Sequence, residues 1–264
     1  MNSPYQVTGT AFITGGGSGI GKRTAFTFAQ NGLQGLALLD VNKESLNQTK
    51  TELKAQYPSV EVEVFSVNIT REEDVATAVR ATVEKFGRID ILVHGAGIVQ
   101  IPAQTHELPI AEWQKVIDVN QTGLLVCQKW IVRQMLAQEP RGKHGDRGTI
   151  VNISSALGCV TTRSSLGNVA YTAAKHAVNG ITKNDARAYA KDGIRINAIC
   201  PGYVDTPLIH HWIADGSLQT EVDHAALGRP AEVEEIANVV LFLASPMSSY
   251  MCGSTLVVDG GYSA

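Results

Sequence analysis

The 264-residue chain is short of paired cysteines, aromatic rings, net charge and long apolar runs, and each shortage excludes something. Its four cysteines, Cys127, Cys159, Cys200 and Cys252, stand far apart with no C-x-x-C pair. They read as small buried hydrophobes of a reduced, cytoplasmic protein rather than a disulfide framework. A formal net charge of −3 leaves no basic footprint for nucleic acid and no polybasic patch for a membrane. The longest apolar run, Ile236 to Ala244, is about half of the roughly 20 residues that cross a bilayer, and Asn238 interrupts it. Met1 to Thr10 has neither a basic n-region nor a long apolar stretch, so no secretory signal is expected. The N-x-S/T sequons at Asn47, Asn68, Asn120 and Asn152 are accordingly read as unmodified. His210, His211 and His224 lack the spacing and the carboxylate of a metal site, and none is expected.

What the chain does have is glycine, 25 residues of it, against 6% aromatics. That balance suits an α/β protein with tight turns better than an all-β sandwich. A chain of this length can bury roughly three-quarters of its unfolded surface. No repeat, low-complexity tract or linker divides it, so one domain over residues 1–264 is expected. Seven short apolar runs (Ala11–Thr14, Leu36–Asp40, Val60–Val67, Ile89–Val93, Thr149–Ile153, Arg195–Cys200 and Thr255–Val258) alternate with segments of helical period. This pattern predicts a doubly wound α/β fold of the Rossmann type, with about seven mainly parallel strands and helices on both faces. Thr70-Arg71-Glu72-Glu73 reads as a capping box opening a helix to Phe86, stopped by Gly87. Glu139–Gly148 reads as a solvated polar loop, with a phosphate contact as its alternative.

The first strand runs into Thr14-Gly15-Gly16-Gly17-Ser18-Gly19-Ile20-Gly21, with a helix expected from about Lys22 to Gln30. Glycines let the backbone turn tightly and approach a pyrophosphate, and the helix start offers N–H groups to it. Asp40 ends the second strand, roughly 20 residues on, where a carboxylate can accept both adenosine-ribose hydroxyls and repel a 2′-phosphate. Val41 follows where an arginine would welcome that phosphate. NAD(H) is therefore preferred over NADP(H). Tyr171 and Lys175 are four apart on an expected helix, which puts phenol and ammonium on one face. A neighbouring positive charge favours the phenolate of a residue whose ordinary pKa is about 10.

Taken in order, these motifs make the chain resemble the short-chain dehydrogenase/reductase family along nearly its whole length. They are Thr14-Gly15-x-x-x-Gly19-x-Gly21, Ala96-Gly97, Asn120, Ser155, Tyr171-x-x-x-Lys175 and Pro201-Gly202. The resemblance implies that Tyr171 is the acid/base as hydride passes to C4 of the nicotinamide. It implies that Lys175 lowers the Tyr171 pKa and holds the nicotinamide ribose, and that Ser155 orients the substrate oxygen. Ser154 is the rival, although the family's Ser-x-x-Gly spacing favours Ser155. Asn120 would kink its helix and complete a proton relay through water. Gly15, Gly17, Ser18, Gly19, Ile20, Gly21, Asp40, Val41, Asn68, Ile69, Gly95, Ala96, Gly97, Tyr171, Lys175, Pro201, Gly202, Val204 and Thr206 would bind the cofactor. A homodimer or homotetramer through the helices bearing Trp130 and Tyr171 is the family's expectation.

Three departures stand out. His94-Gly95 replaces the family's usual Asn-Asn, Asn68 replaces the usual Asp with a side-chain oxygen that can still accept from the adenine amino group, and the loop Cys159–Asn168 is enlarged. Residues 203–227 correspond to the family's substrate lid. Leu208, Ile209, Trp212 and Ile213, with Ile98, Ile101 and Leu157 opposite, would line a site for a hydrophobic alcohol or ketone, steroid-, terpenoid- or polyketide-like. The alternative is that these side chains pack the lid on the body or on a second subunit. The leading functional expectation is an NAD-dependent alcohol/ketone oxidoreductase. Its rivals are an NADPH-dependent ketoreductase, an epimerase-like relative and a non-catalytic NAD(P)-sensing protein.

Overall fold

A computed structural model describes residues 5–164 and 166–264. The expectation about residues 1–10 thus falls partly outside the described residues, as does Ser165 of the enlarged loop. Among the described residues seven strands form: β1 (Thr10–Thr14), β2 (Gly35–Asp40), β3 (Glu61–Ser66), β4 (Ile91–His94), β5 (Gly148–Ile153), β6 (Ile194–Pro201) and β7 (Thr255–Val258). They make one sheet in the order β3-β2-β1-β4-β5-β6-β7, and every pairing is parallel. A parallel sheet needs cover on both faces, which is why β1 is buried at all five positions instead of alternating.

Helices α1 (Gly19–Gln30), α2 (Lys43–Gln56) and α9 (Val233–Ala244) cover one face, packing Phe28, Leu46 and Ile236 on Ile13 and Leu38. Helices α3 (Glu72–Phe86), α5 (Leu124–Ala137) and α6 (Val169–Tyr189) cover the other, where Val75, Ile131 and Ala186 meet Phe12 and Leu92. Three shorter helices, α4 (Ile110–Ile117), α7 (His210–Ala214) and α8 (Gln219–Asp223), lie near the C-terminal rim. Among the described residues no helix is long and apolar enough to cross a membrane.

Local chemistry departs from expectation in three places. The Thr70 capping box does not form, because Asn68 Oδ1 accepts from both the Thr70 N–H and its hydroxyl. α3 therefore starts past that turn without a side-chain cap, and Gly87 ends it in the left-handed region at φ 81°. A true capping box sits on α9, where Glu232 and Glu235 bond each other's backbone N–H groups. The first helix begins at Gly19 rather than Lys22, so its opening turn lies right at the strand ends. The cysteines divide: Cys127 and Cys200 are buried, but Cys159 and Cys252 are exposed, since they sit outside the strands and helix faces that form the core. The 139–148 segment is an exposed turn closed by paired backbone bonds between Arg141 and Asp146.

Candidate active site

Strand order reverses between β1 and β4, and a crevice opens there at the C-terminal rim. Its floor exists because side chains are missing. A Cβ on Gly21 would stand 2.3 Å from the Gly15 oxygen, and one on Gly15, at φ 71°, would strike the Gly95–Ala96 backbone at 2.9 Å. A Cβ on Gly95 would likewise meet the Thr14 oxygen at 2.9 Å. Ser18, at the start of α1, makes no side-chain cap bond, which leaves first-turn N–H groups for a ligand. These features fit a dinucleotide pyrophosphate.

Asp40 stands over the turn. It accepts from the Gly17 N–H at 3.2 Å and the Asn42 N–H at 3.1 Å, and Val41 beside it is 70% exposed. The nearest cations of α1 are committed elsewhere, Lys22 to Glu52 at 2.8 Å and Arg23 to Glu234 at 2.7 Å. Asn68 is exposed and its oxygen is already taken by Thr70, so it is not poised as an acceptor for adenine. Ile69 is buried and presses on Gly123, where a Cβ would fall 2.8 Å from it. It packs in the core with Val67 and Val75.

The larger cavity, about 230 Å³, opens from this crevice toward residues 203–227. A second, about 80 Å³, touches neither Ser155, Tyr171 nor Lys175. The larger one gathers Gly95, Gly97, Ile20, Pro201, Gly202, Val204 and Thr206 with Ser155, Tyr171 and Lys175. Ser155 and Tyr171 share this lining, and the Ser155 hydroxyl pulls the Tyr171 pKa down. Ser154 lines the same cavity, but its hydroxyl donates to the Lys175 carbonyl at 3.1 Å. Lys175 Nζ donates to the Ile153 carbonyl at 2.8 Å and lies 5.5 Å from the Tyr171 ring centre.

Burial pushes the Tyr171 phenol up to about 12, with only the Ser155 hydroxyl pulling it down. The ammonium of Lys175 is turned to Ile153, and burial has drawn its own pKa down to about 8. Tyr171 thus holds its proton at neutral pH in this arrangement.

Asn120 lies in a π-helical stretch, Asp118–Gly123, between α4 and α5. The expected break in the helix is there, but the side chain does something else. Its Oδ1 accepts from the Ile98 N–H and its Nδ2 donates to the Ile98 carbonyl, both at 2.8 Å. Asn120 therefore clamps the loop after β4. The His94 replacement also finds a place: its Nδ1 lies 3.1 Å from the Thr14 hydroxyl oxygen, which accepts the Ala96 N–H. Buried away from water, His94 has its pKa pushed down to about 3, with the Lys175 charge adding to the effect.

Of the expected substrate wall, Leu157, Leu208, Ile209 and Trp212 line the cavity. Ile98, Ile101 and Ile213 do not: Ile101 is exposed and Ile98 packs inward toward Val116 and Ala174. Sequence reasoning missed Leu166, Leu218, Tyr203 and Tyr262 as wall residues. It also missed Gln100. That buried side chain accepts from the Ala170 N–H at 2.7 Å and the Tyr171 N–H at 3.3 Å, capping the helix that bears Tyr171. Its partners lie about 70 residues away, and no local signal marks it.

A family model described as enoyl-(acyl carrier protein) reductase matches residues 15–263. The chain is 41% identical to the short-chain dehydrogenase fogB of Aspergillus ruber over 97% of both chains. It is 37% identical to the cis-4-hydroxycyclohexanecarboxylate dehydrogenase of Sinomonas cyclohexanicum over 96% of both. The solved structure of levodione reductase superposes with a TM-score of 0.87 at 34% identity, over 97% of each chain. The doubly wound fold and this crevice define a nicotinamide-dependent oxidoreductase. The chain belongs to the short-chain dehydrogenase/reductase family.

Proposed function

We propose that the protein is an NAD(H)-dependent dehydrogenase interconverting a neutral, bulky, apolar secondary alcohol and its ketone. The observation that carries this reading is the meeting of Ser155, Tyr171 and Lys175 in a cavity whose lining includes no other charged side chain. An unpaired carboxylate or phosphate transferred into such a lining loses several kcal/mol of hydration with nothing to replace it. The site therefore favours a neutral ring or chain over an acidic substrate.

Gly15, Gly17, Ser18, Gly19, Ile20 and Gly21 hold the pyrophosphate, Asp40 the adenosine ribose, and Gly95, Ala96 and Gly97 the crevice edge. Val204 and Thr206, after Pro201 and Gly202, hold the carboxamide side. Asp40 with its committed cationic neighbours supports NAD over NADP. When bound, the nicotinamide accepts or supplies the hydride. Tyr171 keeps the proton that a ketone oxygen needs, and Ser155 directs that oxygen to it. Lys175, with one N–H on Ile153, has two more to offer toward Tyr171 and the nicotinamide ribose. Asn120 and Gln100 fix the loop and the helix from which these groups project. Residues 203–227 act as a substrate lid, and exposed Leu125 and Leu136 on α5 mark where a dimer or tetramer would bury surface.

The test is NADH formation from NAD⁺, with NADP⁺ in parallel, across neutral cyclic and polycyclic secondary alcohols. Tyr171→Phe should lower kcat by about 10²- to 10⁴-fold while NADH still binds. Turnover surviving that change would overturn the assignment, and a preference for NADP⁺ would overturn the reading of Asp40.

A further inference from the structure

Three segments that are remote in sequence meet at one side chain. Glu221 sits on α8 with 2% of its surface exposed. Its Oε1 accepts from the Ser164 N–H at 2.7 Å. Its Oε2 accepts from the Arg163 N–H at 3.3 Å, from the Tyr203 hydroxyl at 3.1 Å and, in a short bond, from the Tyr262 hydroxyl. The Arg163 guanidinium lies over the Tyr262 ring and donates to the Tyr262 carbonyl at 3.1 Å. The two tyrosine rings pack edge to face with centres 5.6 Å apart. The enlarged loop after Ser155, residues 203–227 and the turn after β7 are thereby tied together.

Each tied segment also supplies a wall of the larger cavity: Leu166 from the loop, Tyr203 and Leu218 from residues 203–227, and Tyr262 from the last turn. A carboxylate this buried is tolerated only when its lone pairs are filled, and here four donors fill them. Burial alone would push its pKa up, yet these donors outweigh that and hold it below the ordinary range. If any one segment swings out, the carboxylate is left short of donors in a dry place. The four contacts are therefore made or lost together.

We infer that Glu221 is a positioning residue for the substrate: it gathers the three segments into one wall and so sets substrate affinity without touching the reacting atoms. This rests on the cavity being the substrate site, as proposed above. Charge-assisted bonds of this kind are each worth about one to two orders of magnitude in an equilibrium. Glu221→Gln should therefore raise the KM for a bulky cyclic alcohol about 10- to 100-fold. Its kcat at saturation should stay within about threefold and its NADH affinity within about twofold. Glu221→Asp should recover part of the loss. Tyr262→Phe, which removes one donor with little change of shape, should raise KM alone but add little to Glu221→Gln.

Two readouts judge the inference without catalysis. Amide exchange should quicken over 160–164 and 203–223 in Glu221→Gln while β1 and β4 hold. The neutral fluorescent probe N-phenyl-1-naphthylamine should bind at least about tenfold more weakly. Unchanged exchange, or quickened exchange with unaltered KM and probe affinity, would overturn the role of Glu221. A wild-type protein that binds NADH and the probe but turns over no alcohol would overturn the functional reading alone, and the probe arm would still decide on Glu221.

Discussion

The two sides of the active-site crevice are built by opposite means. On the nucleotide side, backbone meets backbone: Gly15, Gly21 and Gly95 pack so closely that a methyl group has no room. On the substrate side, walls meet through long polar side chains, Glu221 with Tyr203 and Tyr262, and Gln100 with the start of α6. The first construction cannot adjust and suits a ligand of fixed shape. The second can be rewired by one substitution and suits a pocket whose occupant differs from one relative to the next.

The contrast can be broken most forcefully on the nucleotide side. Gly21→Ala should reduce NADH affinity by more than about 100-fold and lower the melting temperature, since overpacking of backbone on backbone costs about 1–3 kcal/mol or more. Retained binding by isothermal titration would show that the turn has slack. Next comes Asp40→Ser, which removes a charged acceptor and should weaken NAD⁺ about 10- to 100-fold. Adding Val41→Arg should then let NADP⁺ compete, as parallel KM values would reveal.

His94 gives an effect of known sign. Its folded pKa of about 3 lies below the 6.5 of the unfolded chain, so only the unfolded state gains a proton between those values. Stability present above pH 6.5 should fall as pH drops toward 3, by about 1.4 kcal/mol per unit for this one group. Urea titrations of His94→Asn, the family's usual residue, should lose that component of the slope. The smallest effect is expected on the substrate side. Gln100→Ala removes a helix cap worth about 1 kcal/mol and should lower the melting temperature by a few degrees with a modest fall in kcat.

The same contrast explains what could be read from the sequence. Glycines at 15, 19 and 21 and the Tyr171–Lys175 pair are legible because backbone approach and helical periodicity leave traces within a few residues. The strands are legible for a similar reason, since burial on both faces writes short apolar runs. Glu221, Tyr262 and Gln100 leave no such trace: their partners stand 18 to 99 residues away. Asn120 falls in a helix break as its motif implies, yet nothing local marks its amide as spent on Ile98. Thr70 misled because an Asx turn at Asn68 claimed the hydroxyl that a capping box would have used.

The π-helical stretch Asp118–Gly123 has a further consequence. Such a stretch is an α-helix that has taken in one residue too many, and each residue of a regular helix turns the chain by roughly 100°. That surplus lets α4 set Val116 against Ala170 and Ala174 while α5 sets Cys127 and Ile131 against the sheet. Losing the exposed Thr122 would restore a regular helix and turn one apolar stripe away from its partner, carrying Asn120 off Ile98 with it. Deleting one residue of this stretch should therefore cost more than replacing the exposed Thr122 side chain, because only the deletion turns whole helix faces.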